Sequence, residues 1–393
     1  MNVALIMQRV ETGRGGAETS VTQYAQRLAT QGIAVHLYTA SPDVQASGVT
    51  VHTIACPRWP RTLQLGRFVA GAADQAARAG HDIIHAITPC PGADLYQPRG
   101  GTFRETALRT IAAAGGPTAR LIKQVSLALN LVHRRMIRLE RILLTDPDGP
   151  IVAALSRYVA RQLRAHYSVD DRRIRIVFNG VDLDPLSPPA DPDAERRRLR
   201  GDLGLADTDV AALFVAHNFK LKGLAAAIEA LALLRHNLPT ATARLIVLGR
   251  GDVAPYARLA HRRGIADALR FAPPSPSAAP YLHACDLLLH PTWYDPCSRV
   301  VLEAMAVGLP AITTAFNGAG EVITHGDNGF VIDRPDNIPA LADAWRALMD
   351  PVARHAIGRN AALARNDFAM QTHVNHMIRL YGEILAMRRG GRS

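Results

Sequence analysis

Strand-like and helix-like segments alternate along this chain, break off near residue 184, and then begin again. In the first half NVALIM (2–7) reads as a buried strand, GGAETSVTQYAQRLATQG (15–32) as an amphipathic helix ending at Gly32, and IAVHLYTA (33–40) as the next strand. DIIHAIT (82–88) and PIVAALS (150–156) continue the series. After a Pro- and charge-rich stretch at 184–198, taken as a linker, the order repeats. VAALFVAH, ARLIVLG, DLLLHP and PAITT read as strands, with helices between them at 223–237, 254–264 and 298–308. Strands separated by helices demand a parallel sheet covered on both faces. Two such series predict an α/β protein of two doubly wound, Rossmann-like domains, 1–183 and 184–369. A closing amphipathic helix from about 370 is expected to return to the first domain. Domains of this kind, facing each other, take ligand in the cleft at the carboxyl ends of their strands.

Length and composition agree with two cores. The chain has 393 residues, too many for one, and 48% are hydrophobic against 20% charged. No apolar run reaches the roughly 18–20 residues of a membrane span. The first residues read as a strand and not as a signal peptide. Cys56, Cys90, Cys285 and Cys297 lie scattered without ligand spacing, so the expected setting is the reducing cytoplasm and no metal centre is expected. DPD at 146–148 and 191–193 reads as turns in both places. The formal net charge of +11 is nearly all arginine, since Lys123, Lys220 and Lys222 are the only lysines. A basic surface favours an anionic partner. No groove-reading nucleic-acid motif accompanies it, so nucleic acid is not expected.

The segment YDPCSRVVLEAMAVGLPAITT (294–314) carries the chemistry. A strand delivers the chain to a loop at Thr292–Cys297, and a helix starts near Ser298. The first amides of a helix have no internal partner and carry partial positive charge, which suits a phosphate. Ser298, Arg299 and Val300 supply the candidate amides. Glu303, a turn further in, is placed to accept from a vicinal diol such as a ribose, and Asp295 to face a sugar beyond the diphosphate. The plainer reading makes Glu303 a favourable acid near a helix start and Asp295 an ordinary loop residue. A second segment, FVAHNFKLKG (214–223), puts Lys220 and Lys222 at a strand-to-helix junction, where an ammonium neutralises a departing diphosphate. TGRGGAE (12–18) sets Gly13, Gly15 and Gly16 between a strand and a helix, letting backbone approach a ligand.

These residues resemble the retaining glycosyltransferases of family four, which have the GT-B fold. Their pattern is Glu, seven residues, Glu, then Ala-Met-Ala-x-Gly-x-Pro. The resemblance implies that Asp295, one methylene shorter than the usual Glu, contacts the donor sugar and that Glu303 holds the ribose. It assigns Lys222-Gly223 to the family's Lys-Gly pair. The upstream Arg position is filled by His217 or Ala216, with Lys220 making up the charge. It matches Gly15 and Gly16 to a cleft-lining Gly-Gly-x-Glu, and Gly318, Gly320 and Glu321 to a helix start beside the donor. IRIVFNGVDLD (174–184) matches the passage into the second domain. LRFAPPSPSAAPYLHACD (269–286) falls where relatives hold the base, with Pro273-Pro274 in place of a Gly. No side chain stands out as a nucleophile on the sugar, and His85, at a strand end, is expected to be structural. The resemblance therefore implies a metal-independent front-face transfer with retention, and a nucleotide sugar as co-substrate with no other cofactor.

Within the family the likeness is to the lipopolysaccharide core glucosyltransferases that act on inner-core heptose. This implies UDP-glucose as donor and a lipid-linked saccharide as acceptor. GDP-mannose or UDP-N-acetylglucosamine donors, or a weakly catalytic lookalike serving as a binding module, are the alternatives. Residues 118–144 read as one basic amphipathic helix, with Arg120, Lys123, Arg134, Arg135, Arg138 and Arg141 among leucines and isoleucines. Such a helix suits an anionic membrane surface, and equally a solvated face packed on its own domain. The expected location is cytoplasmic, peripheral on the inner face of the plasma membrane.

Overall fold

The computed structural model describes residues 1–10, 16–42, 44–57 and 59–390. Contacts divide the chain into two units, Met1–Gly180 with Met370–Ser393, and Val181–Ala369.

The first unit runs β1 (Asn2–Ile6), α1 (Gly16–Thr30), β2 (Ala34–Thr39), β3 (Val49–Thr53), α2 (Arg61–Arg78), β4 (Ile83–Ala86) and β5 (Leu95–Tyr96). It continues through α3 (Phe103–Ala112), α4 (Pro117–Leu129), α5 (Leu131–Thr145), β6 (Ile151–Ala154), α6 (Arg157–Tyr167) and β7 (Ile174–Ile176). The second unit contains α7 (Pro192–Asp202), β8 (Val210–Val215), α8 (Leu224–Asn237), β9 (Ala243–Leu248), α9 (Ala254–Arg262), β10 (Leu269–Phe271) and α10 (Ala279–Ala284). It ends with β11 (Leu287–His290), α11 (Arg299–Ala306), β12 (Ala311–Thr314), β13 (Phe330–Ile332), α12 (Ile338–Ala347) and α13 (Pro351–Leu363). The last helix, α14 (Met370–Gly390), belongs to the first unit and packs along α1.

Both sheets are parallel and share one topology. Their orders are β3-β2-β1-β4-β5-β6-β7 and β10-β9-β8-β11-β12-β13. Each is the doubly wound order in which the chain reverses direction beside its first strand. The reversals fall between β1 and β4, and between β8 and β11. Strands covered on both faces need apolar residues at every position. VAALFV of β8 meets that need, as do ARLIVL of β9 and LLLH of β11 apart from Arg244 and His290, and Leu213, Phe214, Leu245, Ile246 and Leu288 are fully buried.

In the first unit α14 closes one face of the sheet. Its Tyr381 hydroxyl meets the Tyr24 hydroxyl at 2.6 Å and His85 Nδ1 at 2.8 Å. His85 is buried there, and burial lowers its pKa to about 3, so it is neutral and structural. On the other face Glu140 of α5 accepts from Tyr96 (3.0 Å), Tyr167 (2.5 Å) and the Phe103 amide (2.9 Å). Burial outweighs these three donors and raises its pKa to about 7.

Three expectations need correction. The stretch 184–198 is no free linker. Asp191 caps α7 through the Ala194 amide, Pro192 takes the first helical turn, and Arg196 and Arg200 reach Asp286 at 2.7 and 3.1 Å. The DPD at 191–193 is thus a helix start, whereas the one at 146–148 follows the end of α5 in a turn. The basic segment 118–144 is two helices. Asn130 ends α4 and its side chain caps α5 at the His133 amide, 3.0 Å away.

Candidate active site

The site grows from the reversal point of the second sheet, where the loops after β8 and β11 leave adjacent strand ends. The β8 loop turns back at Gly223. Its φ of +81° lies in the left-handed region, and a Cβ there would fall 2.0 Å from the Pro291 carbonyl oxygen. Only glycine allows both the turn and that approach. The two loops are then joined by bonds from the Trp293 amide (2.8 Å) and the Thr292 hydroxyl (3.2 Å) to the Leu221 carbonyl.

This stitching carries Lys222 onto the β11 loop. Its Nζ donates to Asp295 Oδ2 at 2.6 Å and to the Tyr294 carbonyl at 2.9 Å. Both side chains are largely withdrawn from water, Lys222 being 20% and Asp295 14% exposed. Burial alone would raise the Asp295 pKa. The Lys222 ammonium, with His290, more than reverses this and holds the carboxyl well below its usual range. Asp295 is therefore held as an anion, paired with Lys222.

The same loop is tied to the segment after β12. The Asp295 amide donates to the Phe316 carbonyl (2.9 Å), and the Gly318 amide donates to the Asp295 carbonyl (3.0 Å). Asn317 organises the junction, its Oδ1 accepting from the Ser298 amide (3.1 Å) and the Ala319 amide (3.0 Å). Gly318 thus sits directly against Asp295. Gly320 and Glu321 lie on a short 3-10 turn, Gly318–Val322, and not on an α-helix.

α11 begins at this junction. Its Ala, Leu, Glu and Met residues favour a helix. It ends in a Schellman motif, with Gly308 at φ +75° and the Leu309 and Gly308 amides bonded to the Ala304 and Met305 carbonyls. No side chain caps its start. Of the three candidate amides, Ser298 needs correction, because its N–H is already engaged by Asn317. Arg299 and Val300 stand in the first turn. Glu303 follows one turn on, and burial raises its pKa while the Arg299 guanidinium, 3.3 Å away, pulls it down.

The remaining predicted residues fall on the β8 loop or in the first unit. His217 and Lys220 are exposed on the β8 loop. Gly15 falls outside the described residues, and Gly16 opens α1. Arg120, Arg134, Arg135 and Arg138 are exposed on α4 and α5, and Lys123 is half-buried on α4. Among the described residues no cluster of His, Cys, Asp or Glu could hold a metal ion.

Two participants were not foreseen from the sequence. His290, at the end of β11, is buried with Nε2 3.9 Å from Asp295 Oδ2 and 3.5 Å from the Ser298 hydroxyl. Burial lowers its pKa, so it is a neutral ring against the acid. The signal was available as a polar residue closing an apolar strand at the reversal point. Asn317 gave no signal, since its role depends on β12 lying beside β11.

Chemically, the arrangement offers a compact ammonium, an anion and an uncapped helix start around one point. That suits an anion bearing hydroxyl groups on both sides.

The chain is similar to known proteins. Residues 195–363 match the model of the glycosyl transferases group 1, and residues 14–185 that of glycosyltransferase family 4. A D-inositol 3-phosphate glycosyltransferase from Geodermatophilus obscurus is 30% identical over 397 residues, covering 93% of this chain and 84% of that one. Among solved structures, WaaG, a glycosyltransferase involved in lipopolysaccharide biosynthesis, superposes with a TM-score of 0.78 at 22% identity, over 95% of this chain and 98% of that one. Anabaena HepE in complex with UDP-glucose gives a TM-score of 0.72 at 18% identity, over 98% and 100%.

Proposed function

The chain belongs to the glycosyl transferases of group 1, GT-B enzymes that move a sugar from a nucleotide donor, and from that premise we propose that it transfers glucose from UDP-glucose to a lipid-linked saccharide at an anionic membrane face. The observation that carries the donor half is the meeting of Lys222 and Asp295 at the β8–β11 reversal, beside the start of α11. In this reading Lys222, the first-turn amides of Arg299 and Val300, and Lys220 stabilise the departing diphosphate. Asp295 orients the hexose and Glu303 holds the ribose. Backbone dipoles fixed before reaction, such as the first-turn amides, need no reorganisation when charge develops, which makes such groups effective. The leaving phosphate assists removal of the acceptor proton on the same face, giving retention without a metal.

The acceptor half is supported by α4. None of its residues is buried, and Leu121, Ile122, Val125 and Leu129 share one face at 50–73% exposure. Arg134 and Arg138 stand exposed on the adjoining α5. An apolar face with basic neighbours fits the interface of an anionic bilayer. No helix among the described residues is long and apolar enough to cross one.

A second acceptor is favoured by the relatives. A phosphorylated cyclitol of the inositol 3-phosphate kind follows from the D-inositol 3-phosphate glycosyltransferase named above.

The test is sugar transfer by purified protein with UDP-glucose, UDP-N-acetylglucosamine and GDP-mannose against a lipid-linked saccharide and against inositol 3-phosphate. NMR of the product anomer reads the stereochemistry. UDP-glucose consumption with the lipid-linked acceptor is the expected result. Transfer to inositol 3-phosphate alone would replace the acceptor half.

A further inference from the structure

Each of the two acids in the donor site carries its own cation. Lys222 is paired with Asp295, and Arg299 Nη2 lies 3.3 Å from Glu303 Oε1 within α11. Helix stability does not explain the second pair. A cation in the first turn works against the helix dipole, and an Arg four residues before a Glu is the weaker order for a helical ion pair. Nor is it an ordinary surface pair. Arg299 is 14% and Glu303 18% exposed, so two charges have been taken largely out of water. Burial shifts the Glu303 pKa up more than Arg299 shifts it down, so the pair is loosely compensated.

A diphosphate leaves with more negative charge than one ammonium can balance. Lys220 and His217 are exposed on the β8 loop. Arg299 is the guanidinium already at the helix start, with the forked geometry that binds phosphate oxygens in pairs.

We propose that the Arg299 side chain is a diphosphate-binding group of the donor site, exchanging Glu303 for the phosphate, with Lys222 leaving Asp295 in the same way. The inference rests on the donor reading above and adds to it a residue and an order of events. The diphosphate draws off both cations. The carboxylates they leave then accept from the ribose and hexose hydroxyls, so each half of the donor prepares the contacts of the other. No covalent bond is made or broken in this exchange.

Inorganic pyrophosphate tests it, because it has phosphates and no sugar. Calorimetric titrations would compare wild type, Glu303→Gln, Arg299→Leu and the double variant, each checked for folding by circular dichroism, with UDP titrated in parallel. Glu303→Gln is expected to bind pyrophosphate roughly threefold tighter or more, since no pair has to be broken. Arg299→Leu is expected to bind it about tenfold more weakly. In the Arg299→Leu background the gain from Glu303→Gln should vanish. Arg299→Lys, which keeps the charge and loses the fork, should fall between, and it serves if the leucine variant does not fold. An equal gain in the leucine background would show simple removal of negative charge, and would overturn the exchange. So would unchanged pyrophosphate binding in Arg299→Leu, or no pyrophosphate binding by wild type and Glu303→Gln. If pyrophosphate follows the expected pattern while UDP fails to bind wild type, the exchange stands and the nucleotide-sugar reading falls.

Discussion

Gly223→Ala should uncouple the two loops that build the donor site. The added Cβ would stand 2.0 Å from the Pro291 carbonyl oxygen, on a residue at φ +81°. The left-handed conformation alone costs an alanine roughly 1–2 kcal/mol. The contact cannot be relieved by a side-chain rotation, because its partner is backbone, so the loops must part by about 1 Å or more before ordinary packing distance is restored. Lys222 is the preceding residue, and its 2.6 Å bond to Asp295 opens with them. A displacement of about 1 Å at a reacting group can cost on the order of 100-fold in rate. The expected result is a fall of about that size in kcat/KM for sugar transfer, with a stability loss of about 3 kcal/mol in thermal denaturation. Gly264→Ala is the control. Gly264 has φ +70° with nothing within 4 Å of its Cβ position, so it carries the conformational cost without the collision. It should lose about 1–2 kcal/mol and keep its activity. Activity of Gly223→Ala within threefold of Gly264→Ala would refute the claim that this approach positions Lys222.

Lys222→Met should lower kcat about 100-fold or more with little change in the fold of either unit, because it removes the cation facing the leaving group. Its stability deficit should shrink as pH falls, since the Asp295 pKa is depressed by Lys222 and that contribution is lost as the carboxylate protonates below the usual Asp range. Glu140 predicts the opposite slope. Its pKa is raised to about 7, so its protonated form is favoured in the fold, and stability falls as pH rises from about 5 to 7. Melting curves of Glu140→Gln across that range should be flatter than wild type, and an equally steep fall would assign the slope elsewhere. Replacing Leu121, Val125 and Leu129 together with Ser should abolish sedimentation with anionic vesicles and leave donor hydrolysis unchanged. Reversing Arg134 and Arg138 should weaken vesicle binding by about 1 kcal/mol or more for each charge.

The doubly wound architecture was legible because buried parallel strands are written as continuous apolar runs, as in β8, β9 and β11. The strands that escaped notice were of another kind. β3, VTVHT, is a half-exposed edge, and β5, β7, β10 and β13 have two or three residues each, too few for a pattern. The start of α7 was written plainly as Asp191-Pro192, yet the surrounding prolines and charges suggested a linker. The break between α4 and α5 had no Gly or Pro to announce it, because Asn130 both ends one helix and caps the next. The two acids proposed for the site are marked in the sequence by their spacing around α11. Their partners were not equally visible. Lys222 and Asp295 are 73 positions apart and meet only because β8 lies beside β11. The Ser298 amide was assigned to a ligand because nothing in the sequence brings Asn317 to it.

Calorimetry of UDP-glucose with wild type and Glu303→Ala asks whether a nucleotide sugar binds at the start of α11. Saturable binding by wild type, weakened about tenfold or more in Glu303→Ala through loss of a charge-assisted hydrogen bond, is the predicted result. Wild-type binding that Glu303→Ala leaves unchanged would contradict it.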